Sequence, residues 1–177
     1  MADDNPVIET ILQRRSCRSY DGGGPDEEEL ELLIDCLRRA PSAGNRQPWR
    51  FHVVENDELR GELRRAGGQK MIEKAPVVFV ICALPDRSAK AYDERGRELY
   101  CIQDTACAGM SLLLAADALG YGACWVGAFD EAAVARALEL PTGERPVALI
   151  PVGSGKPGIL GLKTPRRGAG KTVRRWR

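Results

Sequence analysis

A single histidine, His52, stands in a chain of 177 residues, and the six cysteines at 17, 36, 82, 101, 107 and 124 include no C-x-x-C pair. Closely spaced cysteines and histidines are the usual sequence mark of a zinc site, so no metal centre is expected. A lone histidine also leaves little for nucleophilic schemes. Strand alternation in Phe51-His52-Val53-Val54 sets it opposite Phe51 and Val53, and no nucleophile motif adjoins it. No essential acid, base or nucleophile is therefore expected among the side chains. Aromatics are sparse at 6%. The longest apolar run, 75–85, is about half of the ~20 residues that a membrane-spanning helix needs. The opening Met1-Ala2-Asp3-Asp4-Asn5-Pro6 is acidic and polar where a signal peptide is basic and then apolar. These absences point to a cytoplasmic protein with no membrane partner, whose cysteines are mostly small buried hydrophobes in a reducing compartment.

What is present is an ordinary globular composition, 44% hydrophobic and 29% charged. With no repeat and no linker, this length reads as one domain over 1–177 ending in a basic C-terminal tail, 154–177. The formal charge of +1 hides an asymmetry: residues 163–177 hold seven Lys or Arg and no acid, leaving −6 on the rest. By composition alone such a tail is a solvated end, a nucleic-acid arm or the closure of an anion site. Near-neutral overall charge argues against a dedicated nucleic-acid binder.

Asn5 before Pro6 signals a helix start, with Val7, Ile8, Ile11 and Leu12 on one stripe and an end near Arg14. Acids at 26–29 open a second helix with the stripe Leu30, Leu33, Ile34 and Leu37, stopped by Pro41. A strand over 49–55 and a helix over 57–66 follow. The continuously apolar 75–83 segment reads as a strand covered on both faces, in the sheet centre. A long buried helix is expected over 97–119, a strand over 123–129, a helix over 130–140 and a strand over 146–153.

Two constellations carry chemistry. Arg14-Arg15-Ser16-Cys17-Arg18 gathers three guanidinium groups and a hydroxyl, which match phosphate oxygens, although a basic cluster at a helix end also complements the dipole there. Pro41-Ser42-Ala43-Gly44-Asn45-Arg46-Gln47-Pro48-Trp49 is fixed by prolines at both ends. Its small residues allow close backbone approach, and its hydroxyl and amides suit a sugar or pyrimidine edge; a plain helix-to-strand connector is the alternative. Together, in this order and spacing, they resemble the FMN-dependent nitroreductase family. The likeness runs on through Ala75-Pro76-Val77-Val78, the long helix from Asp104, the 120–130 segment, Leu140-Pro141 and the last strand.

The resemblance implies an α+β fold, a central mixed β-sheet flanked by helices, in an entwined homodimer with FMN sites shared between subunits. It implies a ping-pong oxidoreductase passing hydride from NAD(P)H through FMN to a small acceptor such as a nitroaromatic or quinone. Related flavin chemistries, reductive dehalogenation or heterocycle dehydrogenation, and flavin storage or redox sensing without turnover, are the alternatives. Arg14 and Ser16 are expected at the FMN phosphate with Arg15 beside them, and Arg18 at the N1 and C2 carbonyl side, where a cation steadies the reduced ring. Pro41, Ser42, Ala43, Asn45 and Gln47 are expected to reach the flavin from the other subunit, and Gln69 to meet its pyrimidine edge. Trp125, Val126, Gly127 and Ala128 are expected to pass the ring, with the N–H of Gly127 or Ala128 near N5. A tail cation, Arg166 ahead of Lys163 and Arg167, is expected to complete the phosphate site. The tail departs from the family pattern at Gly153-Ser154-Gly155-Lys156-Pro157.

Overall fold

The computed structural model describes residues 5–155 and 165–176. Helix α1 (Pro6–Gln13) starts as its sequence dictates: the Asn5 side chain accepts the N–H groups of Val7 and Ile8 at 3.0 and 3.3 Å, and proline occupies the first turn. Its apolar stripe does not enter the core. Val7, Ile8, Ile11 and Leu12 are all exposed. Helix α2 (Glu27–Arg38) opens with a capping box, in which Asp26 accepts from the Glu29 N–H and Glu29 accepts from the Asp26 N–H. The Glu29 carboxylate also accepts the Tyr121 hydroxyl at 2.5 Å, tying the start of α2 to the far side of the fold.

The sheet has the order β1 (Trp49–Val54), β2 (Val77–Ala83), β4 (Arg145–Gly153) and β3 (Gly122–Ala123). These four strands pair antiparallel. Among the described residues the parallel component of the expected mixed sheet is the isolated Ser16–Ala123 bridge. All seven β2 residues are buried, because alternate side chains feed two cores. Val77, Phe79 and Ile81 pack with Ala148, Ile150 and Val152 against α2 and α6 (Cys101–Ala118). Val78, Val80 and Cys82 pack with Leu149 against α3 (Asp57–Gly67), α4 (Met71–Lys74) and α7 (Glu131–Ala137). Helices thus cover both faces, as a strand with no polar side requires.

Two expected elements are revised. The helix expected over 97–119 is α6 preceded by a π turn at Gly96–Tyr100, and the charged segment before it is helix α5 (Pro85–Arg95). Gly96 allows the tight return, since any Cβ there would meet the Ser88 backbone. The strand expected over 123–129 stops at Ala123; beyond it Val126 alone bridges to Leu149, and the chain between bulges outward with Trp125 exposed. Four cysteines are buried, but Cys107 is exposed and Cys36 half-buried. The last described helix, α8 (Ala169–Thr172), is a single exposed turn in the tail.

The stretch Pro85–Ala118 is long and apolar enough in one window to cross a membrane. Packing accounts for one side of it, where Ala108, Leu112 and Ala116 have no exposure and lie on the sheet, while Cys107 and Met110 are exposed. Ile150→Ala, in the middle of β4, is expected to cost about 2–5 kcal/mol, and Leu32→Ala, on the outer face of α2, less than about 1 kcal/mol. Urea unfolding with unchanged m-values checks both, and equal costs would contradict this core assignment.

Candidate functional site

The segment 14–18 leaves α1 and lies beside β3. Ser16 pairs with Ala123, and the Cys17 N–H donates to the Ala123 carbonyl at 2.9 Å. The Cys17 side chain fills the space where Gly122 lacks a Cβ, so this close approach depends on that glycine. Tyr20 anchors the segment from below, its hydroxyl lying 3.2 and 3.0 Å from the Cys17 and Pro151 carbonyls. Burial pushes the Tyr20 phenol well above its ordinary range, which keeps it a neutral donor. Asp117 on α6 faces the same segment. Burial raises its carboxyl, and Arg14, Arg15 and a backbone N–H of Arg15 oppose the rise.

The three arginines differ. Arg14 is half-buried and Arg18 exposed, and both act electrostatically on the nearby Cys124 thiol. Arg15 is turned back on its own helix: its Nη1 lies 3.1 Å from the Leu12 carbonyl and 2.9 Å from that of Arg14, and also contacts the Gln13 carbonyl. In this position it caps the C-terminus of α1 and satisfies carbonyls that the helix cannot.

The 125–128 segment follows directly from β3, so the pairing at Ser16 brings it next to the arginines. Trp125 is 38% exposed, and the rest of its indole lies against Gly109 of α6, where a Cβ would overlap the ring. Gly127 and Ala128 are exposed, and their N–H groups meet no acceptor among the described residues. Val126 anchors the segment to the sheet. Its side chain is buried, and its N–H and carbonyl are both paired with Leu149 at 2.9 Å. Gln69 follows the left-handed Gly68 at the end of α3, which is joined to this segment by the Asp130 N–H donating to the Ala66 carbonyl at 3.1 Å.

The 41–48 loop is built under strain. Gly44, Asn45 and Gln47 all have φ near +50°, and two of these carry side chains. The Ser42 hydroxyl accepts the Gln47 N–H at 2.9 Å, and Gln47 donates to the Asn45 side chain at 3.2 Å. The whole turn hangs on Asp104 of α6, whose two carboxylate oxygens lie 3.1 and 3.2 Å from the Ala43 N–H. Pro41, Ser42, Ala43, Asn45 and Gln47 are exposed or half-buried. Gly44 lets the Tyr92 hydroxyl of α5 press on the loop.

Asp104 and Asp117 are thirteen residues apart on α6, about 20 Å along its axis. The loop and the arginine segment therefore sit near opposite ends of one helix. Among the described residues no hydrogen bond or ion pair joins them. Arg166 and Arg167 lie in the exposed part of the tail, and Lys163 lies outside the described residues. Asp104, Gly109 and Tyr92 were not foreseen. An acid within a mostly apolar helix was the visible signal at Asp104.

Residues 11–68 and 62–154 match the nitroreductase family. A Methanothermobacter thermautotrophicus protein with the provisional name NADH dehydrogenase/NAD(P)H nitroreductase is 31% identical over 168 residues, covering 91% of this chain and 84% of its own. An FMN reductase (NADPH) of Bacillus subtilis is 29% identical over 174 residues, covering 92% and 70%. Among solved structures, a nitroreductase family protein of Clostridium novyi NT is 31% identical with a TM-score of 0.78, covering 88% of both chains.

Burial raises the Asp104 carboxyl above its ordinary range, so its charged form costs native-state stability once pH exceeds the unfolded value of about 3.9. Stability contributed by this group falls as pH rises from there through the raised folded value. Asp104→Asn keeps an acceptor for Ala43 without the charge. Thermal melts are expected to show it equal to wild type below about pH 3.5 and more stable at pH 7; lower stability at pH 7 would contradict the assignment.

Proposed function

Because this chain belongs to the nitroreductase family, we propose that it is an FMN-dependent NAD(P)H oxidoreductase working as a homodimer, with each flavin held between two copies. The observation that carries this reading is the Ser16–Ala123 pairing. It lays the segment from Ser16 to Arg18 alongside 123–125, with the Arg14 and Arg18 charges acting on Cys124, next to two exposed N–H groups at Gly127 and Ala128 that meet no acceptor among the described residues. That donor set fits a phosphate at one end and an electron-rich ring edge at the other.

With FMN bound there, the chemistry available is two-electron transfer from NAD(P)H to a small acceptor such as a nitroaromatic or quinone, in two alternating half-reactions. The chain's own part is binding and orientation. Arg14 and Ser16 grip phosphate oxygens, and Arg18 places a positive charge where the reduced cofactor is anionic. Gly127 and Ala128 present N–H donors without side-chain bulk, while Trp125 walls the segment against α6. Gln69, at the turn beside this segment, is assigned to the pyrimidine edge. Arg166, chosen ahead of Lys163 and Arg167, is assigned to the phosphate end, where the tail's positive charge offsets the −6 of the remaining chain. No side chain is asked to move a proton.

The separation along α6 supports the shared site. A two-fold axis across that helix brings the start of one copy beside the end of the other, so the 41–48 loop of one chain meets the arginines of its partner. Surface for such a contact exists: the exposed stripe of α1 and exposed Met110 of α6 flank an apolar groove of about 430 Å³. On this reading the whole chain, 1–177, acts as one domain in the cytoplasm, without membrane or nucleic-acid partners.

Purified protein is expected to release FMN and, after anaerobic reduction by NAD(P)H, to be reoxidised by a nitroaromatic or quinone. Reduction without reoxidation by any acceptor would favour flavin storage. Arg14→Ala is expected to weaken FMN binding by roughly one to two decades in fluorescence titration. An unchanged dissociation constant would remove Arg14 from the site.

A further inference from the structure

Away from the arginines and the 41–48 loop, three metal-ligating side chains meet from three separate segments: His52 on β1, Cys82 on β2 and Glu144 on the turn before β4. The register explains the meeting. Arg50 lies opposite Cys82, so His52, two residues on, shares a sheet face with Cys82 on the diagonal. On the other side Cys82 lies opposite Pro146, at a bulge, which brings up the turn that carries Glu144. One ligand atom from each of the three lies within 4.8 Å of the others.

The carboxylate is the unsatisfied member. The Glu144 side chain is 1% exposed; one oxygen contacts His52 Nε2, and the other is buried without a hydrogen-bond partner. Arg50 Nη1 stands 3.4 Å from that second oxygen as an ion pair only. A buried carboxylate oxygen without a donor is uncommon and asks for an explanation. Cys82 is fully buried, and burial together with Glu144 pushes its thiol far up.

We propose that His52, Cys82 and Glu144 form a binding site for a divalent metal ion of the zinc class, with solvent in the fourth position. Imidazole nitrogen, thiolate and carboxylate are the donors such an ion takes, and tetrahedral bonds of about 2.0–2.3 Å require donor atoms about 3.3–3.8 Å apart. Small side-chain rotations bring this cluster to that spacing. Binding displaces the Cys82 thiol proton to solvent and replaces the His52–Glu144 contact with two bonds to the metal, the neutral imidazole keeping its one proton on Nδ1 in place of Nε2; no electrons move. One thiolate and one carboxylate neutralise the ion, so Arg50 gains no net positive neighbour. Entry is provided by a groove of about 360 Å³ lined by Arg50 and Glu144, and by His52, whose side chain is 27% exposed. The ion ties the edge strand β1 and β2 to the turn that opens β4, a structural clamp independent of flavin chemistry. Thirty and sixty-two residues separate the ligands along the chain, which is why cysteine spacing does not reveal them.

The test uses the full-length protein as purified, stripped with a chelator and titrated with Co²⁺, with Zn²⁺ as competitor. One Co²⁺ per chain is expected, with a thiolate-to-metal charge-transfer absorption in the difference spectrum and about one proton released per ion bound. Cys82→Ser is expected to abolish that absorption. His52→Gln changes a part-exposed side chain and is expected to weaken Zn²⁺ binding more than about a hundredfold, beyond the loss of an outer partner. Cys107→Ser, at the exposed thiol, is expected to change neither. Absence of saturable binding, an absorption that survives Cys82→Ser, or His52→Gln binding Zn²⁺ like wild type would overturn the proposal. Should Cys82→Ser fail to fold, His52→Gln decides alone. Flavin content is expected to be the same in all these proteins, so the outcome is separable from the oxidoreductase reading.

Discussion

Two carboxylates on one helix, Asp104 buried and Asp117 half-buried, set the geometry on which the candidate site depends. Asp104 takes the Ala43 N–H and so fixes the 41–48 loop, and Asp117 faces the arginine segment, where the charges of Arg14 and Arg15 oppose the rise that burial gives its carboxyl. Helix α6 is held in turn by the sheet, where Leu112 and Ala116 have no exposure. Burying a carboxylate is unfavourable unless it is hydrogen-bonded, so Asp104 strongly favours the loop position that supplies its donor. The spacing along α6 then keeps the loop and the arginines of one chain apart, and the proposed function draws the second half of the site from a second copy.

The consequence for chemistry is that the protein contributes shape and charge. Arg14, Ser16 and Arg18 are brought to the 125–128 segment by a single bridge at Ser16–Ala123, with Gly122 giving Cys17 room to pass. Asn45 and Gln47, two of the four non-glycine residues with positive φ among the described residues, lie in the loop, which the Ser42 hydroxyl and Asp104 hold. A fold with one histidine can support oxidoreduction in this way, because a bound cofactor supplies the reacting atoms and the chain supplies orientation.

Much of this was legible in the residues. The two constellations, the doubly covered β2 and the capped starts of α1 and α2 follow from motif order, an apolar β-branched run and N-cap chemistry. Other features were not legible, for identifiable reasons. The α1 stripe reads as a core face, but within one chain it is exposed, since periodicity reports that a face wants burial and not what buries it. The strand expected through 129 breaks after Ala123, because the apolar pattern of Cys124, Trp125 and Val126 is the same for a ladder and for a bulged edge. Arg15 looks like Arg14 in sequence, and only the carbonyls at the end of α1 distinguish them. The His52, Cys82 and Glu144 cluster depends on sheet register, which no local pattern encodes.

The central claim is that each site takes its arginines from one chain and its loop from the other. Co-expression of differently tagged Arg14→Ala and Asn45→Ala chains, followed by tandem purification of the mixed dimer, tests it by FMN titration. Shared sites place both lesions in one site and leave the other intact, so the mixed dimer is predicted to hold one FMN with wild-type affinity. If every site in the mixed dimer binds with the weakened affinity of one or other single variant, the two halves belong to the same chain and the account is wrong.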